Sequence, residues 1–93
     1  MVKLRIGGKM IKVSYTIKNE EGLHARPATD FCKTAGSFKS KISIIKDGEE
    51  FEAKSILMVL CVGAVKGDTI ELCAEGEDEK EAIDALIKTL DSE

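Results

Sequence analysis

Ninety-three residues, 43% of them hydrophobic and carrying a formal net charge of −3, make one small domain with a single core. No apolar run approaches the roughly 20 residues of a membrane span. Residues 1–10 mix charged with apolar side chains and lack the continuous apolar stretch of a secretory signal, and the acidic balance without basic clusters argues against nucleic acid as a partner. These readings lead to a soluble, cytoplasmic protein, with neither membrane insertion nor direct contact with nucleic acid.

In chain order, Val2, Leu4 and Ile6 alternate with polar neighbours and suit an extra edge strand or a segment that pairs with a neighbouring molecule. Ile11, Val13, Tyr15 and Ile17 alternate with Lys12, Ser14, Thr16 and Lys18, the pattern of a half-buried strand. Asn19-Glu20-Glu21-Gly22 turns the chain. Ala28, Phe31, Cys32 and Ala35 then follow helical spacing, so a helix is expected from just after His24 to near Gly36. Ile42 and Ile44 mark a strand within Lys41–Lys46, Asp47-Gly48 signals a hairpin turn, and Glu49–Ala53 returns as a short strand.

The apolar run from Ile56 to Val62 is bracketed by Ser55, a good N-cap, and Gly63, a good stop, which favours a short helix over a buried strand. Gly67-Asp68 turns into Thr69–Glu75, where Ile70, Leu72 and Ala74 share one face. Asp78 followed by Glu81 has capping-box spacing, Glu77, Glu79 and Glu81 suit a helix N-terminus, and Ala82, Ile83, Leu86, Ile87 and Leu90 form the apolar stripe of a last helix. The order strand, helix, strand, strand, helix, strand, helix reads as an α+β layer: a four-stranded antiparallel sheet with three helices on one face.

Three cysteines, Cys32, Cys61 and Cys73, lie far apart and form no C-x-x-C pair, which argues against a disulfide framework or a zinc site. Each has apolar neighbours and reads as a small buried or half-buried hydrophobe. The carboxylates of Glu75–Glu79 are explained by turn and helix capping, so no metal and no other cofactor is expected.

The chemistry concentrates in Gly22-Leu23-His24-Ala25-Arg26-Pro27-Ala28, which holds the only His and the only Pro of the chain. Neutral imidazole is a nitrogen nucleophile near neutral pH, and a guanidinium two residues on can pair with phosphate oxygens. Pro27 suits the first turn of a helix, where its missing N–H costs nothing. His24 then stands at the helix N-terminus, where the unpaired N–H groups of Ala25 and Arg26 favour an anion.

This stretch, together with Ala53-Lys54-Ser55-Ile56-Leu57, resembles the HPr family, the histidine phosphocarriers of the bacterial phosphoenolpyruvate-dependent sugar phosphotransferase system. The resemblance covers residues 10–92 and implies an open-faced β-sandwich. It implies that His24 accepts a phosphoryl group from enzyme I on Nδ1 and passes it to A-type domains of sugar permeases, with Arg26 as phosphate partner, so that the protein is a relay and not an enzyme. It implies a docking patch around Ile56, Leu57 and Leu60, and a monomer. In relatives from low-GC Gram-positive bacteria the residue matching Ser55 is phosphorylated by HPr kinase/phosphorylase, and the product serves a catabolite transcription regulator as corepressor. A regulatory paralogue, a phosphorylation-dependent binding module in catabolite or nitrogen control, is therefore the alternative reading.

Two departures bear on docking: Met58 stands where many relatives have Gly, and Cys61-Val62 where many have Ser-Leu. Residues 1–9 have no counterpart in the usual family pattern. Gly7-Gly8-Lys9-Met10 permits the codons GGA-GGA-AAA-ATG, a ribosome-binding site before a start codon, so the segment reads as a mis-assigned start or a cloning artefact ahead of a domain at 10–93. The alternative is a genuine extension.

Overall fold

The structure, a computed structural model, describes residues 10–92. The expectations for residues 1–9, an artefact or an added strand, lie outside the described residues.

Seven elements follow in the expected order: β1 (Met10–Thr16), α1 (Ala25–Gly36), β2 (Lys41–Lys46), β3 (Glu49–Glu52), α2 (Ile56–Val62), β4 (Thr69–Glu75) and α3 (Glu79–Asp91). The strands form one antiparallel sheet in the order β1-β4-β2-β3. Non-sequential neighbours are thus paired: Val13 and Ile44 both lie opposite Leu72 on the central strand β4. The three helices cover the face toward which Tyr15, Ile42, Ile44, Phe51, Ile70, Leu72 and Ala74 point. Helix α3 packs on β1 and β4, α2 packs on β2 and β3, and α1 lies against both helices. Phe31 of α1, fully buried, anchors this layer. This is the α+β layer that the periodicity predicts, with three helices on one side of a four-stranded sheet, and it is the open-faced sandwich that the resemblance implies.

Local details show where pairing and turn chemistry override simple pattern. Ile17, beyond the end of β1, still donates its N–H to the Asp68 carbonyl at 2.8 Å and accepts from Gly67 at 2.9 Å. Ala53, placed in β3 by alternation, falls outside the strand, although its N–H still reaches the Ile42 carbonyl at 3.1 Å. Asp47 and Gly48 both have positive φ, 53° and 82°, as a two-residue hairpin turn of this twist requires. Gly63 ends α2 in the left-handed conformation at φ 67°.

The capping box does not form at α3. Asp78 is the N-cap by position, but its carboxylate makes no cap bond to the helix. It accepts instead from the Lys39 and Ser40 N–H groups, each at 2.9 Å, and from the Ser40 hydroxyl. Two fixed backbone donors and a buried hydroxyl outcompete the N–H groups of the first turn, and these bonds tether the α1–β2 loop to α3. The reach-back role falls to Glu79, which accepts from the Gly76 N–H at 3.0 Å. Two of the three cysteines match the expected burial. Cys32 is half-buried and donates to the Lys54 carbonyl at 3.2 Å, and Cys73 is buried on the open side of the sheet, where desolvation pushes its thiol up. Cys61 departs from it: seven-residue α2 turns only Val59 and Val62 inward, which leaves Cys61 exposed.

Candidate functional site

The turn before α1 is built by close approach. Asn19 closes it, accepting from the Gly22 N–H at 3.2 Å and donating its side-chain amide to the Gly22 carbonyl at 2.9 Å. Gly22 has φ 68°, and a Cβ there would sit 2.5 Å from the Ala64 carbonyl oxygen and 2.9 Å from the Val65 Cα. Only a glycine fits both the backbone conformation and the space. Leu23, buried, then donates to the same Ala64 carbonyl at 2.9 Å. The loop after α2 therefore holds the residue that precedes His24.

His24 is the N-cap of α1, with extended backbone (φ −151°, ψ 161°), and is exposed. Its imidazole makes no cap bond to the helix, so the ring nitrogens are free to face solvent. Ala25 follows with φ 54°, a left-handed conformation that costs a non-glycine residue about 1–2 kcal/mol. Strain of this kind persists where the surroundings over-determine it, and such places are often functional. Ala25 and Arg26 are both exposed first-turn residues, and Pro27 is buried as the third residue of the helix, within the first turn as expected. The N–H groups of Ala25 and Arg26 belong to the set that a helix leaves unpaired at its start. An imidazole, two backbone N–H groups and a guanidinium thus stand in three consecutive residues at the positive end of a twelve-residue helix.

The Arg26 side chain is 85% exposed, and its Nε lies 3.7 Å from Asp30 Oδ2, one turn further along α1. On the other side of the turn, Lys66 pairs with Glu20, and that bond holds the Glu20 carboxyl below its usual range. A shallow groove lined by Asn19, Glu20, Glu21 and Pro27 runs beside it.

Ser55 is the N-cap of α2, half-buried, with its hydroxyl accepting from the Met58 N–H at 3.3 Å. The residue before it is pinned twice: the Lys54 carbonyl accepts from Cys32 of α1, and Lys54 Nζ donates to the Phe38 carbonyl at 2.8 Å. Ile56, Leu57 and Leu60 are 41%, 69% and 37% exposed, an apolar surface that Met58 and Val65 extend. The loop that follows α2 abuts Gly22 and Leu23, so this surface reaches the His24 turn at its C-terminal end. Ser55 lies at the other end of the helix, a span of about 10 Å for seven residues.

Sequence reasoning did not single out Asp30, Val65, Lys66 or the strain at Ala25. Asp30 stands four residues after Arg26, a spacing that signals a same-face pair. Val65, a lone apolar residue between Gly63 and Gly67, had a readable signal too. The left-handed Ala25 had none, because nothing in an alanine announces positive φ.

An open-faced α+β sandwich that presents an exposed histidine and a guanidinium at a helix N-terminus defines a class of small acceptor proteins for anionic groups. Within it, the chain belongs to the HPr family: the family described as PTS HPr component phosphorylation site matches residues 11–92. Phosphocarrier protein HPr of Buchnera aphidicola from Acyrthosiphon pisum is 46% identical over 77 residues, covering 83% of this chain and 91% of that protein. HPr-like protein Crh of Halalkalibacterium halodurans is 42% identical over 84 residues, 90% of this chain and all of that protein. Among solved structures, HPr from Thermoanaerobacter tengcongensis superimposes with a TM-score of 0.85 at 45% identity, covering 88% of this chain and 92% of that one.

Proposed function

We propose that the protein is a reversible phosphoryl carrier that takes the group from enzyme I on His24 and gives it to A-type domains of sugar permeases. The observation that carries this reading is the exposed, uncapped His24 at the start of α1, with Arg26 two residues on. The Nδ1 lone pair attacks phosphorus while the bond to the donor breaks. The donor keeps that electron pair, and the proton stays on Nε2 of His24. In-line transfer of this kind needs positioning and charge stabilisation more than acid–base help. The N–H groups of Ala25 and Arg26 and the guanidinium supply the stabilisation. The protein has no turnover of its own; it is substrate and then donor, works as a cytoplasmic monomer, and docks through Ile56, Leu57 and Leu60. Among the described residues, no helix is long and apolar enough to cross a membrane.

A second role rests on Ser55. Its half-exposed hydroxyl caps α2 beside the apolar surface, so a phosphate there would add about −1.5 to −2 charges at a helix start, which tolerates them, next to a surface that must dry on docking. The similarity to an HPr-like protein, Crh, favours a second use beside phosphoryl carriage; the resemblance to the family supplies HPr kinase/phosphorylase as modifier and a catabolite regulator as partner.

A mutant pair tests both roles. With labelled phosphoenolpyruvate and enzyme I, wild type and Ser55→Ala take label and His24→Ala takes none. With ATP and the kinase, Ser55→Ala alone stays unlabelled. Label on His24→Ala from enzyme I would overturn the carrier reading.

A further inference from the structure

We propose that Asp30 is a positioning residue for phosphoryl transfer: it holds the Arg26 guanidinium one helical turn away from His24 and so keeps the phosphoryl group loosely held. The proposal rests on the reading of His24 as acceptor and Arg26 as phosphate partner.

Arg26 is the second residue of α1, at the positive end of the helix, and α1 has no acidic residue in its first turn. A cation placed there alone is unfavourable. Asp30, four residues on, faces the same side, and its Oδ2 lies 3.7 Å from Arg26 Nε. That separation is too long for a hydrogen bond, so the hold is Coulombic. The side chains are 85% and 37% exposed, which leaves the pair loose and exchangeable.

When His24 carries the phosphoryl dianion, the guanidinium has two anions to choose between, and a resting partner at Asp30 lowers its net gain on turning to the phosphate. The Asp30 carboxylate also repels the arriving anion across one turn of helix. Both effects act in one direction: the phosphorylated form is held less tightly and passes its group on more readily. Lys33 lines the same groove as Asp30 and offers the carboxylate another cation when Arg26 leaves.

The test is the equilibrium of phosphoryl exchange with enzyme I at a fixed phosphoenolpyruvate-to-pyruvate ratio, read as the phosphorylated fraction of the carrier. Asp30→Asn shifts it about 2- to 5-fold toward phosphorylated carrier, and Asp30→Glu stays near wild type. At about 1 M salt the shift collapses. In an Arg26→Ala background the Asp30→Asn shift falls by more than half, which a merely structural role would not produce. An unchanged equilibrium in Asp30→Asn, with wild type still phosphorylated on His24, would overturn the proposal alone. An equal shift with and without Arg26 would also overturn it, because none of the effect of Asp30 would then run through the guanidinium. If wild type takes no phosphate on His24, the carrier reading fails first and this inference with it.

Discussion

Gly22 decides where His24 stands. Its φ of 68° and the Ala64 oxygen 2.5 Å from where a Cβ would sit leave no room for a side chain. Gly22→Ala combines left-handed strain with overpacking against backbone, a cost of about 2–4 kcal/mol. A thermal melt lowered by about 10 °C or more, with slower phosphoryl acceptance by the folded fraction, is the expected result. An unchanged melt would mean that the contact with Ala64 carries no weight. The histidine, the arginine and the serine were all legible in the sequence, because each chemistry needs a particular residue type. The positive φ of Ala25 was not, since it depends on how the turn before α1 is pressed against the loop after α2; the pairing of Arg26 with Asp30 carries a local signal, four-residue spacing on one helix, that was passed over.

At the scale of elements, substitutions at Ser55 separate two aspects of α2. Its N-cap bond from the Met58 N–H stabilises the helix, while its exposed Ile56, Leu57 and Leu60 form the proposed docking surface. Ser55→Ala loses the cap, about 1 kcal/mol, and leaves docking charge unchanged. Ser55→Asp keeps a good cap, so its melt stays within about 0.5 kcal/mol of wild type while calorimetric affinity for enzyme I falls. Equal affinity for the two variants would remove docking electrostatics from the account. The short helix itself was readable from Ser55 and Gly63 as brackets of an apolar run. Periodicity did not show which of its residues face outward, because a uniformly apolar segment has none to read; the resemblance pointed to Ile56, Leu57 and Leu60, which are exposed, and packing on β2 and β3 also turns Cys61 to solvent. The capping box failed for a related reason. Asp78 is a suitable N-cap, but the tertiary donors of Lys39 and Ser40 bind its carboxylate first.

At the level of the whole molecule, Asp78 and Asp91 join distant parts of the chain. Asp78 ties α3 to the α1–β2 loop, and Asp91 accepts from the Tyr15 hydroxyl at 2.7 Å, tying the end of α3 to β1. The Ser40 hydroxyl lowers the Asp78 carboxyl from its ordinary value, and the Tyr15 hydroxyl does the same for Asp91. Folded carboxylates that titrate low bind protons less readily than the unfolded chain does, so acid favours unfolding. Their contribution is complete above the unfolded value of about 4 and is lost as pH falls through the folded values. Melts should therefore drop progressively as pH falls below about 5. Asp78→Asn should melt lower than wild type at neutral pH but lose less on acidification. Parallel acid curves for the two proteins would show that Asp78 does not contribute. The antiparallel four-stranded sheet and the helix layer that these ties secure were legible from strand and helix periods together with the family resemblance; the strand order was not. The ties themselves link residues far apart in sequence, and local pattern does not register them.

Phosphorylation of His24 is the claim on which the rest depends, and intact mass after incubation with phosphoenolpyruvate and enzyme I tests it most directly. The account predicts a gain of about 80 Da at neutral pH that acid removes, as a phosphorus–nitrogen bond requires. No gain beside an active control carrier, or a gain that survives acid, would contradict it.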